Sequence, residues 1–367
     1  MTGGGLGRRV VHLASGREWR GGQNQVLLLA RALAQCGLVN QVVVTGRGTP
    51  LARRLADAGV PVHGVGWRAG LSPAALLGAL CEAERGPSLL HAHDAHAAAL
   101  AALVGVLSGS PWVATRRAVF PLRRPWLWNR AARIIAISDA VRRALLADGL
   151  APERIVRVHS GIDLDAVRSA RALARGIRRK LHLPEEVPLA VAVGALSPDK
   201  DHATLLAGAA ALRARHPELH WAIAGEGPLR AELEARIRAL GLGDRVRLLG
   251  QLEQPLPLIA AADVFVMSSR EEGLGTSVLD AMALDVPVAA TRAGGIPEML
   301  DSGAGLLSPP GDGVALADSV ALLLEDQARR ECVVAAARAR VSEFSVATLA
   351  AGVLKVYRSV IEGVDIK

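Results

Sequence analysis

The chain has 367 residues, a hydrophobic content of 51%, and 43 Lys and Arg against 35 Asp and Glu, for a net charge of +8. That length predicts two domains, and the apolar fraction, mostly Ala, Val and Leu, excludes a disordered chain. Aromatic residues are 3% of the total, so the cores must be aliphatic, and the basic surface favours anionic partners without choosing among nucleic acid, acidic lipid and phosphorylated ligands.

The N-terminus MTGGGLGRRVVHLAS has no apolar segment ahead of a cleavage site, so no secretory signal is expected. The longest apolar run, roughly 97–107, is too short to span a bilayer. The expectation is a cytoplasmic protein, with peripheral contact to the inner face of the plasma membrane left open. In chain order, strand-like runs are RRVVHLA, NQVVVTG, PVHGVG, SLLHAHD, PWVATRR, RIIAIS and RIVRVHS, then PLAVAVGAL, HWAIAGEG, RVRLLG, ADVFVMSS, VPVAATRAGG and AGLLSPPG. Amphipathic helical patterns lie between them, such as NQVLLLARALAQCG, which ends at Gly37 as a helix C-terminus should.

This alternation predicts an α/β protein of parallel sheets covered by helices, with ligands at the carboxyl ends of the strands. A boundary is expected in the basic helical segment between Leu164 and Pro188. Residues 1–165 would form one domain, 166–187 a linker and 188–345 a second domain, with an amphipathic helix at 346–367 after the second half is complete. Two such halves would leave a cleft between them. Cys36, Cys81 and Cys332 lack metal-ligand spacing and read as buried free thiols of a reducing compartment.

The stretch SSREEGLGTSVLDAMALDVP, 268–287, combines a glycine turn with spaced acids. Gly273 and Gly275 permit close backbone approach, and Thr276 or Ser277 can cap the helix that begins there. Amides and dipole at that N-terminus would seat a phosphate. A carboxylate beside a phosphate needs another partner, and hydroxyl groups fit. Glu272 and Asp280 could then grip two hydroxyl-bearing ends of one ligand, the layout of a nucleotide sugar. From these residues alone, an ordinary strand–turn–helix with a solvated acid stays equally open.

Other loops after strands carry compatible chemistry. Gly225-Glu226-Gly227-Pro228 follows one strand, but Arg230 stands where the dinucleotide fingerprint needs a third glycine. VGALSPDK places Lys200 where it can meet a phosphate, and TRAGG adds Gly294 and Gly295. REWRGGQNQV places Gly21 and Gly22 before a helix, which a plain flexible turn would also explain. In HAHDAHA, His91 and His93 share one face of a strand with only Asp94 nearby. Three or four convergent ligands are needed for a metal, so structural histidines are expected and no metal. TRRAVFPLRRPWLWNRAAR gathers Arg116, Arg117, Arg123, Arg124 and Arg130 with Phe120, Trp126 and Trp128. That composition suits a membrane interface, an anionic acceptor or a solvated arginine face. No nucleic-acid-binding module is recognisable, so no nucleic acid is expected.

In combination these motifs resemble the retaining GT-B glycosyltransferases of the family-4 type, over essentially the whole chain. The acid-x7-acid motif matches Glu272 to Asp280 within EGLGTSVLDAMA. AGEGP, the DRVRLLG strand followed by Gln251, HSGID at 159–163 and the Tyr-containing C-terminal helix also match. The resemblance implies two Rossmann-like domains with parallel sheets facing across an interdomain cleft, the first completed by the C-terminal helix. It implies a donor nucleotide sugar, UDP-, GDP- or ADP-linked, as substrate, with no metal or other cofactor.

Residue by residue, the resemblance places Glu272 on donor-sugar hydroxyls and Asp280 on the ribose. Lys200, Gly273, Leu274, Gly275 and Thr276 would hold the diphosphate. Leu249 and Gln251 would flank the base, with Gly225 and Gly227 also on the donor side. Gly22 would approach the diphosphate, His93 would line the active site, and Arg116 and Arg117 would meet the acceptor. The acceptor would be an envelope polysaccharide, a lipopolysaccharide or a glycolipid. Two positions depart from the family pattern: Asp280 replaces the usual glutamate, and Ala195 stands where an arginine often precedes the phosphate-loop lysine. A non-catalytic nucleotide-sugar-binding subunit and a nucleotide-sugar epimerase of the same fold are the alternatives.

Overall fold

Short runs of Val, Ile, Leu and Ala, flanked by Gly, Pro and Asp, become parallel strands because both faces are covered. The structure, a computed structural model, describes residues 6–38, 40–67 and 70–363. Its first sheet contains β1 (Arg9–Ala14), β2 (Gln41–Gly46), β3 (Val62–Val65), β4 (Ser88–Ala92), β5 (Trp112–Arg116), β6 (Arg133–Ala136) and β7 (Ile155–Arg157). These lie in the order β3-β2-β1-β4-β5-β6-β7. The second contains β8 (Leu189–Val193), β9 (His220–Ala224), β10 (Val246–Gly250), β11 (Val264–Met267), β12 (Val288–Thr291) and β13 (Leu306–Ser308), in the order β10-β9-β8-β11-β12-β13. Each of the runs read as strands from the sequence contains one of these elements.

Both sheets reverse their winding beside the first strand, so ligand chemistry is expected at the carboxyl ends near β1–β4 and β8–β11. Aspartates fix the helices that follow: Asp94 accepts from the amide of Ala97, and Asp201 from that of Thr204, each saving an otherwise unpaired donor. Asp94 also accepts from the amide and hydroxyl of Ser15 at 2.7 and 2.6 Å, tying the loop after β1 to the helix after β4.

Two compact units result, one of residues up to Gly161 together with those from Val346, the other Ile162–Ser345. The helix Val346–Glu362 returns to the first unit, where Leu349, Val353, Val356 and Tyr357 pack on Val10, Leu29, Leu33, Leu89 and Val113. The second core is equally aliphatic, with Leu205, Leu206, Val264 and Val266 around a single tryptophan, Trp221.

The segment expected as a linker is helical, as read, over Leu164–Ser169 and Ala174–Lys180, and it belongs to the second unit. The cause is Arg178, 7% exposed, whose guanidinium holds the carbonyls of Val187 and Ala261 and the carboxylate of Asp263. The cysteines also differ from expectation: all three are free but exposed. Cys36 ends its helix, and Cys81 and Cys332 sit on outward helix faces. Among the described residues no helix is long and apolar enough to cross a membrane.

Candidate active site

In the second unit, the loops after β8, β11 and β12 converge on Glu272. Its Oε2 forms an ion pair with Lys200 Nζ, and its Oε1 accepts from the Gly273 amide at 3.1 Å. Its carbonyl accepts from the Gly295 amide at 3.1 Å. Gly294 has φ +51°, and a Cβ there would stand 1.7 Å from that same carbonyl oxygen, so only glycine fits. Ser268 Oγ donates to the carbonyl of Lys200 at 3.0 Å, and the Arg270 amide to that of Asp199 at 2.8 Å. The acid and the cation read separately from the sequence are thus held against each other by three interlocked loops.

The helix Thr276–Ala283 begins beside this pair. Neither Thr276 nor Ser277 caps it, contrary to expectation: the capping position is Gly275, at φ +89°, with no side-chain cap. Thr276 is already the first helical residue, and the Ser277 hydroxyl donates instead to the carbonyl of Val193 at 3.3 Å. Leu274 is buried under the turn. With no side chain capping it, this helix N-terminus favours an anion. Asp280, half-buried on the same helix, has its pKa pushed up to about 7 by desolvation. Among the described residues no cation pairs with it.

Other donor-side positions serve the framework. A Cβ on Gly225 would stand 1.8 Å from the carbonyl oxygen of Gly194, and one on Gly227 2.4 Å from that of Leu196. These glycines let the loop after β9 lie against the loop after β8. Arg230, where a third glycine was missing, forms ion pairs with Glu226 and Glu234. Leu249 is half-buried near the end of β10, an edge strand, and Gln251 is exposed just beyond it. At the Ala195 position no cation is supplied; its carbonyl accepts from His202 Nε2 at 3.1 Å.

In the first unit, Gly22 lies in the first turn of the helix Gly21–Gln35, with open space where its Cβ would be. His93 follows β4 and is 5% exposed. Sequence reading missed its neighbour His12, which β1–β4 register sets opposite His91. No local motif marks RVVHLA; only strand pairing brings it in. The three rings lie with one ligand atom each within 4.8 Å of one another, a cluster that the spacing argument overlooked. Every ring nitrogen has a polar partner: His91 meets Tyr357 Oη at 2.6 Å and Thr115 Oγ1 at 2.7 Å. His12 meets Gln41 and His93, and His93 meets His12 and Arg117. Burial holds all three neutral, lowering His12 to about 4.

Arg117 donates to the His93 carbonyl at 2.8 Å, and burial lowers its own pKa to about 10. Arg116 donates to the carbonyl of Phe120 and lies 5.9 Å from the Trp128 ring. The arginine-aromatic segment divides: Trp112 and Trp128 are buried, whereas Phe120 and Trp126 are 49% and 63% exposed beside exposed Arg123 and Arg124.

Comparison with known proteins gives the family. The Glycosyltransferase Family 4 model matches residues 19–166, and the Glycosyl transferases group 1 model matches 174–340. A 2-deoxystreptamine glucosyltransferase of Streptomyces kanamyceticus is 30% identical over 351 residues, covering 83% of this chain and 90% of that protein. A phosphatidyl-myo-inositol mannosyltransferase of Mycobacterium leprae is 29% identical over 377 residues, covering 97% and 93%. The structure of Anabaena Alr3699/HepE in complex with UDP and glucose superposes with a TM-score of 0.86 at 21% identity, covering 96% of this chain and 100% of that one. With both halves matched by family models and the two parallel-sheet units in place, the chain belongs to the family-4 glycosyltransferases of the GT-B fold.

Proposed function

We propose that the protein transfers a sugar from a UDP-, GDP- or ADP-linked donor to a glycan or glycolipid acceptor, with retention of anomeric configuration and without a metal. The observation that carries this reading is the Glu272–Lys200 pair fixed beside an uncapped helix N-terminus. That arrangement supplies hydroxyl acceptors and phosphate donors within one loop cluster, and the UDP and glucose bound by the HepE neighbour support it.

Glu272 would hold the donor-sugar hydroxyls, and Asp280 the ribose. Lys200 and the amides at Gly273–Thr276 would meet the charge that grows on the leaving diphosphate, where fixed donors accelerate most. The acceptor hydroxyl oxygen forms the new bond to the anomeric carbon as the bond to the diphosphate oxygen breaks. The acceptor's proton passes to the departing phosphate on the same face. The first unit, through His93 and the arginine segment, would receive the acceptor. The exposed Phe120 and Trp126 beside Arg123 and Arg124 favour contact with an anionic lipid surface.

Thermal-shift screening against UDP-, GDP- and ADP-sugars tests the donor, because a specific ligand raises stability by mass action. Transfer assays should include 2-deoxystreptamine and phosphatidylinositol, which name two relatives. Stabilisation by one nucleotide sugar, with turnover lost in Glu272→Ala, is the expected result. Stabilisation without turnover over a broad acceptor panel would instead indicate a non-catalytic binding subunit.

A further inference from the structure

The buried polar chain that ends on His93 has only one consistent assignment of protons. Gln41 Nε2 donates to the carbonyl of Ala30 at 2.8 Å. Reversing that amide would set oxygen against oxygen, so Oε1 must face His12 Nε2, 3.2 Å away, and accept its proton. A neutral His12 then carries no proton on Nδ1. His93 Nε2, at 3.0 Å, must be the donor of the bond between the two rings. A neutral His93 is left with a bare Nδ1, and the Arg117 guanidinium lies against that lone pair at 3.4 Å while bonding the His93 carbonyl. Among the described residues, Arg117 Nε is buried with no acceptor.

We propose that Gln41 and His12 are positioning residues that fix His93 as its Nε2–H tautomer and so hold Arg117 in one orientation. This rests on the reading of His93 and Arg117 as acceptor-side residues. Strand geometry supplies the register: Gln41 stands opposite Val10, two residues before His12, so both side chains leave one face of the sheet. His93 has no proton to give at Nδ1 and no lone pair to offer at Nε2. It therefore orients rather than exchanges protons.

The test is 15N imidazole spectroscopy of the full chain near neutral pH. Wild type is expected to show His12 and His93 protonated on Nε2 and bare on Nδ1. Either ring protonated on Nδ1, or charged, overturns the assignment without any variant. In Gln41→Glu, the carboxylate favours a charged His12 that donates from Nδ1. His93 should then switch to its Nδ1–H tautomer and lose the Arg117 contact. Transfer should show a rise in acceptor KM of about tenfold to 100-fold, with kcat less affected. An unswitched tautomer in the folded variant, or a switch with unchanged kinetics, refutes the positioning role. One equivalent of Zn2+ shifting all three histidines would replace the relay with a metal site. His93→Ala and Arg117→Ala with undiminished transfer would sink the site reading while leaving the tautomers as assigned.

Discussion

Lys200 and Glu272, 72 residues apart in sequence, hold each other's charge with their side chains 20% and 12% exposed. Removing either strands the other in a partly dehydrated loop cluster, where an unpaired charge is costly. Lys200→Ala and Glu272→Gln should each lower kcat/KM by about 10²- to 10³-fold. The double variant should lose far less than the product of the two losses, because the partners fail together. A double-mutant cycle read in transfer rate and in melting temperature decides; independent, multiplicative losses would mean the pair does not act as a unit.

Asp280 should imprint its own pH dependence on stability. Burial raises its pKa from 3.8 to about 7, so the native chain keeps a proton that the unfolded chain has released between those values. The native state binds more protons there, and stability falls as pH rises from about 4 to about 7. Asp280→Asn should therefore be more stable than wild type above pH 7, by on the order of 1–2 kcal/mol for this half-buried group, with the gap closing below pH 4. The same variant should bind the donor nucleotide more weakly. Denaturant melts at several pH values give the first result and titration with nucleotide the second; a pH-independent gap would contradict the assigned burial effect.

Three glycines separate a steric role from a ligand role. Gly294→Ala drives a methyl into the Glu272 carbonyl, and Gly225→Ala drives one into that of Gly194. Each should cost more than about 2 kcal/mol. Gly22 has open space around its missing side chain, so Gly22→Ala should leave stability unchanged or raise it by up to about 1 kcal/mol. Loss of transfer in that stable variant would mark Gly22 as a point of close ligand approach.

Phe120 and Trp126 expose apolar surface beside exposed Arg123 and Arg124, so Phe120→Ser with Trp126→Ser should abolish sedimentation with anionic vesicles. Stability should change by no more than about 0.5 kcal/mol, as for other surface positions. Wild type that fails to sediment with such vesicles would remove the membrane reading.

The sequence carried its strands openly, because buried parallel strands are short aliphatic runs punctuated by glycine, proline and aspartate. The Glu272–Asp280 stretch was legible for a related reason: its glycines, hydroxyls and acids are contiguous. What stayed hidden was set by register and by loop meeting loop. His12 enters the His93 cluster only through its pairing across β1 and β4. The Lys200–Glu272 bond joins the ends of β8 and β11, and the requirement for Gly294 arises from a carbonyl on another loop. Exposure was equally illegible for the cysteines, because a thiol's residue type does not say which helix face it occupies.

The return of the last helix to the first unit gives synthesis an order. The second unit is one uninterrupted stretch, Ile162–Ser345, and is fully present before Val346 is added. The first unit must wait: His91, made early, meets the Tyr357 hydroxyl only after another 266 residues. A chain halted near residue 345 would thus carry a second unit with its full set of residues beside a first whose core lacks Leu349, Val353, Val356 and Tyr357. The uncovered side of that core is the one such a nascent chain would present to chaperones.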